Sequence, residues 1–557
     1  MNPIYLNILL FWFTVFTAMF CFTNISYFKE NFTTSYKEIA TLIIIALIAK
    51  YPFFQNYFFG LEYEDSYVYD AVARSFLYFQ DFSVDPYLTK GCTIGSLNDC
   101  QIISTYSGHL ITFPSIIYFV FLIFGYSPYT ILYINLFFSV TSVILIFQLS
   151  KILLNNKTFP FIVSLIYSLT PIMNVFHTSG FSETFSSTFV LLFLYLYFMK
   201  FSMQSNKIRN ANFYIHWVAI MFSFTFAVLI KRENLILIAL PLFTILSNLK
   251  GHGIYSLIKK ILPLLFTILV VVLFYHFYID INSSNNAEIT DASGNPFNLK
   301  YIFVLFPLFI KSFLTFNWFF IFSYSCFVGI ILIILKHRNQ SNLISILFLF
   351  LIYLLIYTIH YRSYYFVKSG SASTFETLRY INNFFPFYCI IAGIPLYYLF
   401  EILKNKLLRH SHFLKITIYS TITLLGLLLI IQSHLLKKEF YNIEISNRIM
   451  PVTTTIKAIK ETDILVTDEP LLFQIFANSN FSIVDLNSIG NYYKESDFEK
   501  LIKNENVFYL KKTYHDESIQ LERHPNVFRI INKFKQQTII KENDNFQLIK
   551  LSINNEL

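Results

Sequence analysis

Long apolar stretches recur along most of the chain, and short polar segments separate them. A helix that crosses a bilayer needs about 20 mostly apolar residues, and many of these stretches approach that length. The pattern predicts a polytopic α-helical membrane protein with about twelve spans. We expect the spans near residues 4–24, 39–59, 129–149, 159–176, 187–202, 214–230, 235–249, 261–279, 318–335, 343–359, 384–400 and 415–433.

One further apolar segment, HLITFPSIIYFVFLIF at residues 109–124, is predicted to lie along the membrane interface. With this arrangement, the loops rich in Lys and Arg all fall on one face. This positive-inside pattern makes that face cytoplasmic and places both termini outside. The basic residues of these loops are Lys151, Lys157, Lys207, Arg209, Lys250, Lys259, Lys260, Lys336, Arg338, Lys404, Lys406 and Arg409.

The pattern changes in the tail, from about Lys437 onward. Short apolar runs such as DILVTD (463–468), FSIVDL (481–486) and NVFYL (506–510) alternate there with helix-like segments. This alternation predicts a parallel βαβ sheet, which a C-terminal hairpin closes. We therefore divide the chain into a membrane module (1–433) and a small extracytoplasmic α/β domain (434–557). The tail has no Gly-rich nucleotide fingerprint.

Composition agrees with a membrane protein. Of the 557 residues, 55% are hydrophobic and only 13% are charged, whereas soluble proteins carry roughly 25% charged residues. The formal net charge of +9 is therefore interpreted through the topology and not as affinity for nucleic acid.

An acidic stretch, LEYEDSYVYDAVARSFLYFQ at residues 61–80, follows the second predicted span. It places Glu64 and Asp65 where the chain leaves the membrane on the outer face. The following residues favour a helix, on which Asp70 and Arg74 are spaced to pair. The alternative role for Glu64 and Asp65 is a solvated helix cap.

Basic residues also occur in the outer loops, against the positive-inside bias. They are Lys231, Arg232, Arg362, Lys368 and Arg379. Such cations either reach lipid headgroups individually or gather around a phosphate, for which Arg offers a bidentate fork and Lys a point charge. The residues alone leave both alternatives open.

Four motifs carry a family resemblance: YEDSYVYDAVARSF, HLITFPSIIYFVFLIFGYSP, LTPIMNVFHTSGFSETF and TLRYINNFFPFY. In their order and sidedness the chain resembles the GT-C glycosyltransferases, in the branch of protein O-mannosyltransferases, aminoarabinose transferases and bacterial PMT-like enzymes. It departs from the pattern by the added helix at 4–24 and by lacking consecutive prolines in the second motif. The resemblance implies an inverting transfer of sugar from a polyprenyl-phosphate donor to a lipid, glycan or protein acceptor.

Such a transfer needs a base for the acceptor hydroxyl and cations for the departing phosphate. Nucleotide sugars are absent outside the cytoplasmic membrane, which favours a lipid-linked donor. Asp65 is the expected base, with Glu64 as the alternate. Lys231, Arg232 and Arg379 are expected at the phosphate.

Three further residues complete the predicted site. Tyr380 is a candidate hydrogen-bond donor to the phosphate. Glu183 is expected to orient a basic partner or the acceptor, or else to cap the following helix. His109 either lies near the acceptor channel or is structural. A divalent metal between carboxylates is an open alternative, although no His/Cys cluster with ligand spacing demands one, and no cofactor is assigned.

Five cysteines are present. Cys92 and Cys100 share the outer loop after the acidic stretch, so a local disulfide is expected in an oxidising compartment; two free thiols are the alternative. Cys21, Cys326 and Cys389 are expected within the membrane as small apolar residues.

Two other function classes stay open. A transporter of lipid-linked glycans would also be helical, but it should carry charges at mid-helix and paired broken helices, whereas here the charges cluster at outer helix ends. A polysaccharide polymerase or ligase would usually have its large outer loop late in the chain. Here the first loop is the largest.

Overall fold

The structure is a computed structural model, and it describes part of the chain. The described residues are 3–24, 35–51, 64–79, 83–84, 90–92, 100–102, 105–106, 111–127, 129–154, 156, 158–202, 210–241, 243, 266, 269, 273, 297–338, 340–360, 379–406, 412–444, 449–460, 463–467, 473, 482–485, 495–512, 529–542 and 546–553.

Helices dominate the described residues. Apart from the four-residue helix Phe316–Phe319, the helices in chain order, α1 to α16, are Pro3–Asn24, Tyr36–Lys50, Glu64–Phe79, Thr112–Phe124, Thr130–Leu153, Thr158–Leu169, Pro171–His177, Ser182–Ser202, Asn210–Ile230, Ile302–Phe313, Phe322–Lys336, Ser341–Ile359, Ile381–Lys406, His412–Glu444, Met450–Ala458 and Glu495–Asn504. Two short segments form 3₁₀ helices, Arg232–Ile238 and Leu299–Tyr301.

Strands β1 to β9 are Ser83–Val84, Lys90–Cys92, Cys100–Ile102, Thr105–Tyr106, Ile464–Thr467, Ser482–Asp485, Val507–Lys512, Lys535–Glu542 and Phe546–Ser552. By Cα proximity the chain divides into two compact units. The first comprises residues 1–60, 110–119 and 129–437; the second comprises 61–109, 120–128 and 438–557.

The predicted class, a polytopic helical protein with a small C-terminal sheet, is confirmed. Within the described residues, six helices are long and apolar enough to cross a membrane, or seven if one bent pair counts as a span. The predicted span at 261–279 falls almost wholly outside the described part, and the span at 235–249 is described only at residues 235–241 and 243. Residues 232–238, where the span at 235–249 should begin, form a 3₁₀ helix.

The predicted span at 159–176 needs correction. Instead of one helix, α6 and α7 meet at Thr170 and are bent by 67°. Pro171 is the first residue of α7. Proline supplies no N–H for the preceding turn and disfavours helical dihedrals in the residue before it, and Thr170 is accordingly extended. After the bend, α7 and the short turn that follows it lead into α8.

The first unit is packed through aromatic side chains and close helix contacts. Phe138 on α5 lies 4.6 Å from Phe185 on α8, and Phe189 on α8 lies 4.6 Å from Phe226 on α9, between ring centroids. Gly329 on α11 is required by close approach, because a Cβ there would lie 2.1 Å from the Ile391 carbonyl oxygen on α13. Small residues allow helices in membranes to approach in this way.

Two further apolar helices, α4 and α10, are shorter than a membrane span. Helix α4 has 13 residues and is therefore roughly 20 Å long, shorter than a hydrocarbon core of about 30 Å. This length agrees with the predicted interfacial segment. Helix α10 was not predicted from the sequence. It exposes Phe303 and Phe306 and buries Leu305 and Phe309.

The C-terminal sheet has the order β6-β5-β7-β9-β8. Strand β5 pairs in parallel with β6 and β7, and β9 pairs antiparallel with β7 and β8. The predicted parallel sheet with a closing hairpin is thus present. Its core includes Val466, Val484, Phe498 and Phe534, which come from the sheet, from α16 and from the turn before β8.

Candidate active site

A buried carboxylate, Glu183, lies in the first turn of α8, where two cations meet it. Lys231 Nζ lies 2.9 Å from Glu183 Oε1, and Arg379 Nε lies 3.5 Å from the same oxygen. The Glu183 side chain is fully buried, and those of Lys231 and Arg379 are 14% and 10% exposed. The structure therefore brings together three residues that the sequence suggested. We call them the Glu183 cluster.

The turn before Glu183 is fixed from a neighbouring helix. Asn135 on α5 donates from Nδ2 to the carbonyl oxygens of Ser179 (2.6 Å) and Phe181 (3.0 Å). These two bonds hold the backbone between α7 and α8. They therefore fix the start of α8, the helix that carries Glu183.

Lys231 owes its position to Asn234, three residues later. The Lys231 carbonyl accepts from the Asn234 backbone N–H at 3.1 Å. The Asn234 amide donates to Ser186 Oγ on α8 at 2.8 Å and accepts from the Tyr353 hydroxyl on α12 at 2.9 Å. A buried amide with its hydrogen bonds satisfied is strongly oriented. Asn234 therefore ties the Lys231 turn to two helices.

Arg379 is held in a similar way, just before α13. Its carbonyl accepts from the Asn382 backbone N–H at 3.0 Å, and Asn382 Nδ2 donates to Thr184 Oγ1 at 3.0 Å. Thr184 is the neighbour of Glu183 on α8. The Asn382 bond thus links the Arg379 turn to the helix that carries its carboxylate partner.

Aromatic rings line the cations. The Arg379 guanidinium carbon lies 5.0 Å from the Phe181 ring centroid and 5.3 Å from that of Tyr380, and Lys231 Nζ lies 6.0 Å from the Tyr380 centroid. Tyr380 in turn stacks on Tyr357 at 5.2 Å. These distances are those of cation–π contacts. They add a second role to Tyr380, which the sequence suggested only as a hydrogen-bond donor.

The charges of the Glu183 cluster do not cancel. Two cations share one carboxylate, which leaves a formal excess of one positive charge. A buried charge is costly unless it is paired, and Glu183 pairs with both cations. Lysine and arginine side chains such as these two commonly bind phosphate.

The acidic stretch begins helix α3 at Glu64. The side chains of Glu64 and Asp65 lie outside the described part, so their catalytic role stays a prediction. The predicted pair further along is present, since Arg74 Nε lies 2.7 Å from Asp70 Oδ2. Burial raises the pKa of the Asp70 carboxyl, and the neighbouring Arg74 charge opposes that rise.

The remaining predicted residues are only partly visible. His109 lies outside the described residues. Arg232 is half-buried and begins the 3₁₀ helix beside Lys231. Cys92 and Cys100 are directly opposite each other in the antiparallel pair β2–β3. Opposed Cα atoms in such pairs are about 4.5–5.5 Å apart, within the span of a disulfide. The bond itself remains a prediction.

Sequence reasoning missed the buried amides and two further lysines. Asn234 and Asn382 adjoin predicted residues, yet only their burial and bonding reveal a role. Lys50 and Lys437, described below, stood within or just beyond apolar segments. The available signal was their polarity, because ionisable and polar residues in membrane helices usually face the protein interior. In the described part, no group of three or more His, Cys, Asp or Glu side chains is arranged to hold a metal.

Comparisons with known proteins show which solved structures this fold is similar to. No protein-family profile and no curated protein sequence matches the chain. Solved structures do. ArnT from Cupriavidus metallidurans bound to undecaprenyl phosphate has a TM-score of 0.54 at 12% identity, over 93% of this chain and 98% of that one.

Two structures from Archaeoglobus fulgidus are also similar. The apo oligosaccharyltransferase has a TM-score of 0.52 at 11% identity, over 94% of this chain and 75% of its own. AglB in complex with an inhibitory peptide and a dolichol-phosphate has a TM-score of 0.50 at 11% identity, over 92% and 74%. At such identities the likeness establishes the fold and leaves the activity to the site. The chain has the GT-C glycosyltransferase fold.

Proposed function

We propose that this protein is a multi-pass glycosyltransferase of the cytoplasmic membrane. It moves a sugar from a polyprenyl-phosphate-linked donor to a lipid, glycan or protein acceptor on the outer face. The observation that carries the proposal is the Glu183 cluster, in which two nearly buried cations share one buried carboxylate. Structures of the same fold with bound undecaprenyl phosphate and dolichol-phosphate support a lipid phosphate as the ligand.

The Glu183 cluster binds the phosphate end of the donor. Lys231 presents a point charge and Arg379 a planar guanidinium, the two side chains that commonly bind phosphate. When the bond between sugar and phosphate breaks, negative charge grows on the phosphate oxygens. Cations already fixed in place stabilise that charge without reorganising. Asn234 and Asn382 supply this fixed geometry.

The acceptor side is assigned to the start of α3. The acceptor hydroxyl oxygen attacks the anomeric carbon, and the bond from that carbon to the phosphate oxygen breaks. The electron pair leaves with the polyprenyl phosphate, and the hydroxyl proton passes to the Asp65 carboxylate. Attack opposite the leaving group inverts the anomeric centre. A positioned base of this kind typically contributes about 10²–10⁴-fold.

The sidedness of the proposal follows from the basic loops. Residues 61–128 and 434–557 are assigned to the exterior or periplasm, and the loop near Lys207 to the cytoplasm. Single engineered cysteines test this in intact cells with a reagent that does not cross the membrane. Labelling in the tail with protection near Lys207 is expected. The reverse pattern would overturn the topology.

The transfer itself is tested with material from the host. Loss of the protein is expected to cause intact lipid-linked sugar to accumulate, which mass spectrometry of the lipid extract measures. That lipid then serves as donor for the purified full-length protein. Release of free polyprenyl phosphate together with a glycosylated acceptor supports the proposal. A transporter would move the lipid across vesicles without splitting it, and that result would replace the proposal.

A further inference from the structure

Two other lysines are buried in the first unit, where α2 and α14 meet the turn after α7. Lys50, the last residue of α2, is 0% exposed, and Lys437 on α14 is 1% exposed. Lys50 Nζ donates to Asn174 Oδ1 at 3.2 Å, and Lys437 Nζ donates to Ser179 Oγ at 2.9 Å. Both ammonium groups therefore reach the same short stretch of chain, residues 174–179. We call Lys50, Lys437 and this stretch the α7-turn cluster.

Neutral hydrogen bonds connect the members of the cluster. Asn174 Nδ2 donates to Ser433 Oγ at 3.2 Å, and Ser433 lies one turn before Lys437 on α14. Ser179 Oγ donates to the Val175 carbonyl oxygen at 2.8 Å. These acceptors are amide, hydroxyl and carbonyl oxygens, and none of them carries a negative charge.

Lys50 and His177 have more hydrogen-bonding capacity than the described residues use. An ammonium group has three N–H donors, and Asn174 Oδ1 is the one acceptor that the described residues give to Lys50. His177 is also 0% exposed, and neither of its ring nitrogens makes a hydrogen bond to a described residue. The imidazole is held by stacking on Tyr167, at 5.1 Å between ring centroids.

Such an arrangement is costly for the protein by itself. Burying an ammonium group costs several kcal/mol unless an opposite charge and further hydrogen bonds offset it. At the Glu183 cluster a carboxylate does so. For Lys50 the described residues provide no carboxylate. Water accepts hydrogen bonds but does not neutralise charge, whereas an oxyanion does both.

We propose that the α7-turn cluster is a second oxyanion site, in which Lys50, His177 and Lys437 bind a phosphate group. A phosphate matches the chemistry of these side chains, because it offers several acceptor oxygens to ammonium and imidazole donors carried by three helices. That this phosphate is carried by a lipid rests on the proposed function, since the transferase would bind lipid ligands. The phosphate belongs either to a polyprenyl diphosphate, as a second phosphate of the donor, or to the headgroup of a phospholipid.

Inorganic pyrophosphate is the first probe, titrated calorimetrically into the purified full-length protein in neutral detergent. Lys50→Met and Lys437→Met keep the length and apolar stem of lysine and remove the charge. Each is expected to weaken binding at least tenfold, while Lys50→Arg retains it within a few-fold. Lys151→Met is the matched control, because Lys151 Nζ also donates to a serine hydroxyl, that of Ser35, at 2.7 Å. It should bind as the unaltered protein does.

Lipid probes then separate the two carriers. Native mass spectrometry measures binding of polyprenyl diphosphate and of phosphatidylglycerol to the same variants. The lipid whose binding depends on Lys50 identifies the carrier. Pyrophosphate binding that depends on Lys50, with neither lipid affected, would overturn the assignment to a lipid phosphate. Equal pyrophosphate binding by the unaltered protein, Lys50→Met and Lys437→Met would overturn the site itself.

These outcomes are independent of the transfer reaction. If oxyanion binding depends on Lys50 but no sugar is released from the lipid, the second oxyanion site is supported and the proposed glycosyl transfer is refuted. If sugar is transferred and the Lys50 variants bind every probe normally, the transferase stands without a second oxyanion site.

Discussion

The two basic clusters of the first unit contain similar side chains in different electrostatic settings. Lys231 and Arg379 share the buried carboxylate of Glu183. Lys50 meets only the neutral amide oxygen of Asn174 among the described residues, and Lys437 donates to the hydroxyl of Ser179. Hence the cations of the first cluster share a carboxylate of the protein, whereas Lys50 has no carboxylate partner among the described residues, and the second cluster is the one for which we propose an added oxyanion.

The difference also suggests how each cluster acts. In the Glu183 cluster, the carboxylate and the amides of Asn234 and Asn382 fix the cations before any ligand arrives. Fixed cations are what stabilisation of a transition state requires. At the α7-turn cluster, Lys50 has one neutral acceptor among the described residues, which favours binding of a ground-state anion. The predictions below test this division, in order of decreasing expected effect.

The largest effect is expected from Glu183→Gln. It leaves two cations nearly buried without their carboxylate, and breaking a buried pair typically costs about 3–5 kcal/mol. Turnover should fall by about 10²-fold or more, because Lys231 and Arg379 then repel each other and lose their positions. Thermal unfolding and sugar transfer measure the two effects.

The control for that variant is Glu401→Gln. Glu401 pairs with Lys404 at 3.8 Å, and the Lys404 side chain is 54% exposed. Exposed pairs contribute about 0–1 kcal/mol, so little change is expected. A Glu183→Gln protein as stable and active as the Glu401→Gln protein would show that the first cluster is not held by its carboxylate.

A smaller effect is expected from Lys231→Met, which removes one cation but leaves Glu183 paired with Arg379. Binding of polyprenyl phosphate should weaken about tenfold, equivalent to about 1.4 kcal/mol. Pyrophosphate binding at the α7-turn cluster should persist. Loss of Lys50-dependent pyrophosphate binding in this variant would show that the two clusters are one site.

Asn234→Ala tests whether the position of Lys231 matters as well as its charge. The change leaves the Tyr353 hydroxyl and Ser186 without their amide partner, which typically costs about 1–3 kcal/mol. Donor binding should weaken a few-fold although Lys231 is intact. Asn298→Ala is the control, since Asn298 caps the other 3₁₀ helix and is more exposed, accepting from the Lys300 N–H at 3.1 Å. Equal donor binding in both variants would remove the positioning role of Asn234.

The smallest effect concerns the second unit. Cys92 and Cys100 face each other in β2–β3, so a disulfide should link them in the oxidising exterior. Mass spectrometry of the unreduced protein should find one linked peptide. Replacing both by Ser should change neither phosphate binding nor the stability of the Glu183 cluster. Two freely alkylated thiols would contradict the pairing.

The fold was largely predictable, because the signal for spanning helices and for the C-terminal sheet lies in local hydrophobic patterns. Where the prediction failed, the cause was a single local feature. Pro171 bends the segment at 159–176 into two helices. The amphipathic α10 was missed because it is only 12 residues long and does not resemble a span.

The site was predictable in part. Lys231, Arg379 and Glu183 could be nominated because charged residues at the outer ends of apolar helices are conspicuous. That all three meet at one oxygen depends on the packing of α8 against segments far away in sequence, which no local pattern encodes. Lys50 lies at the end of an apolar helix and is indistinguishable from a snorkelling lysine until its burial is known.

The most direct test compares three purified proteins: the unaltered protein, Asp65→Asn and Lys231→Met. Turnover and polyprenyl-phosphate binding are measured in the same preparation of each. Asp65→Asn keeps the shape of the side chain but removes the base. Its turnover should fall by about 10² or more while binding stays normal, whereas in Lys231→Met both turnover and binding should fall, binding by about tenfold. Near-normal turnover in Asp65→Asn, in Glu64→Gln and in the double variant would contradict the account and reduce the acidic pair to a helix cap.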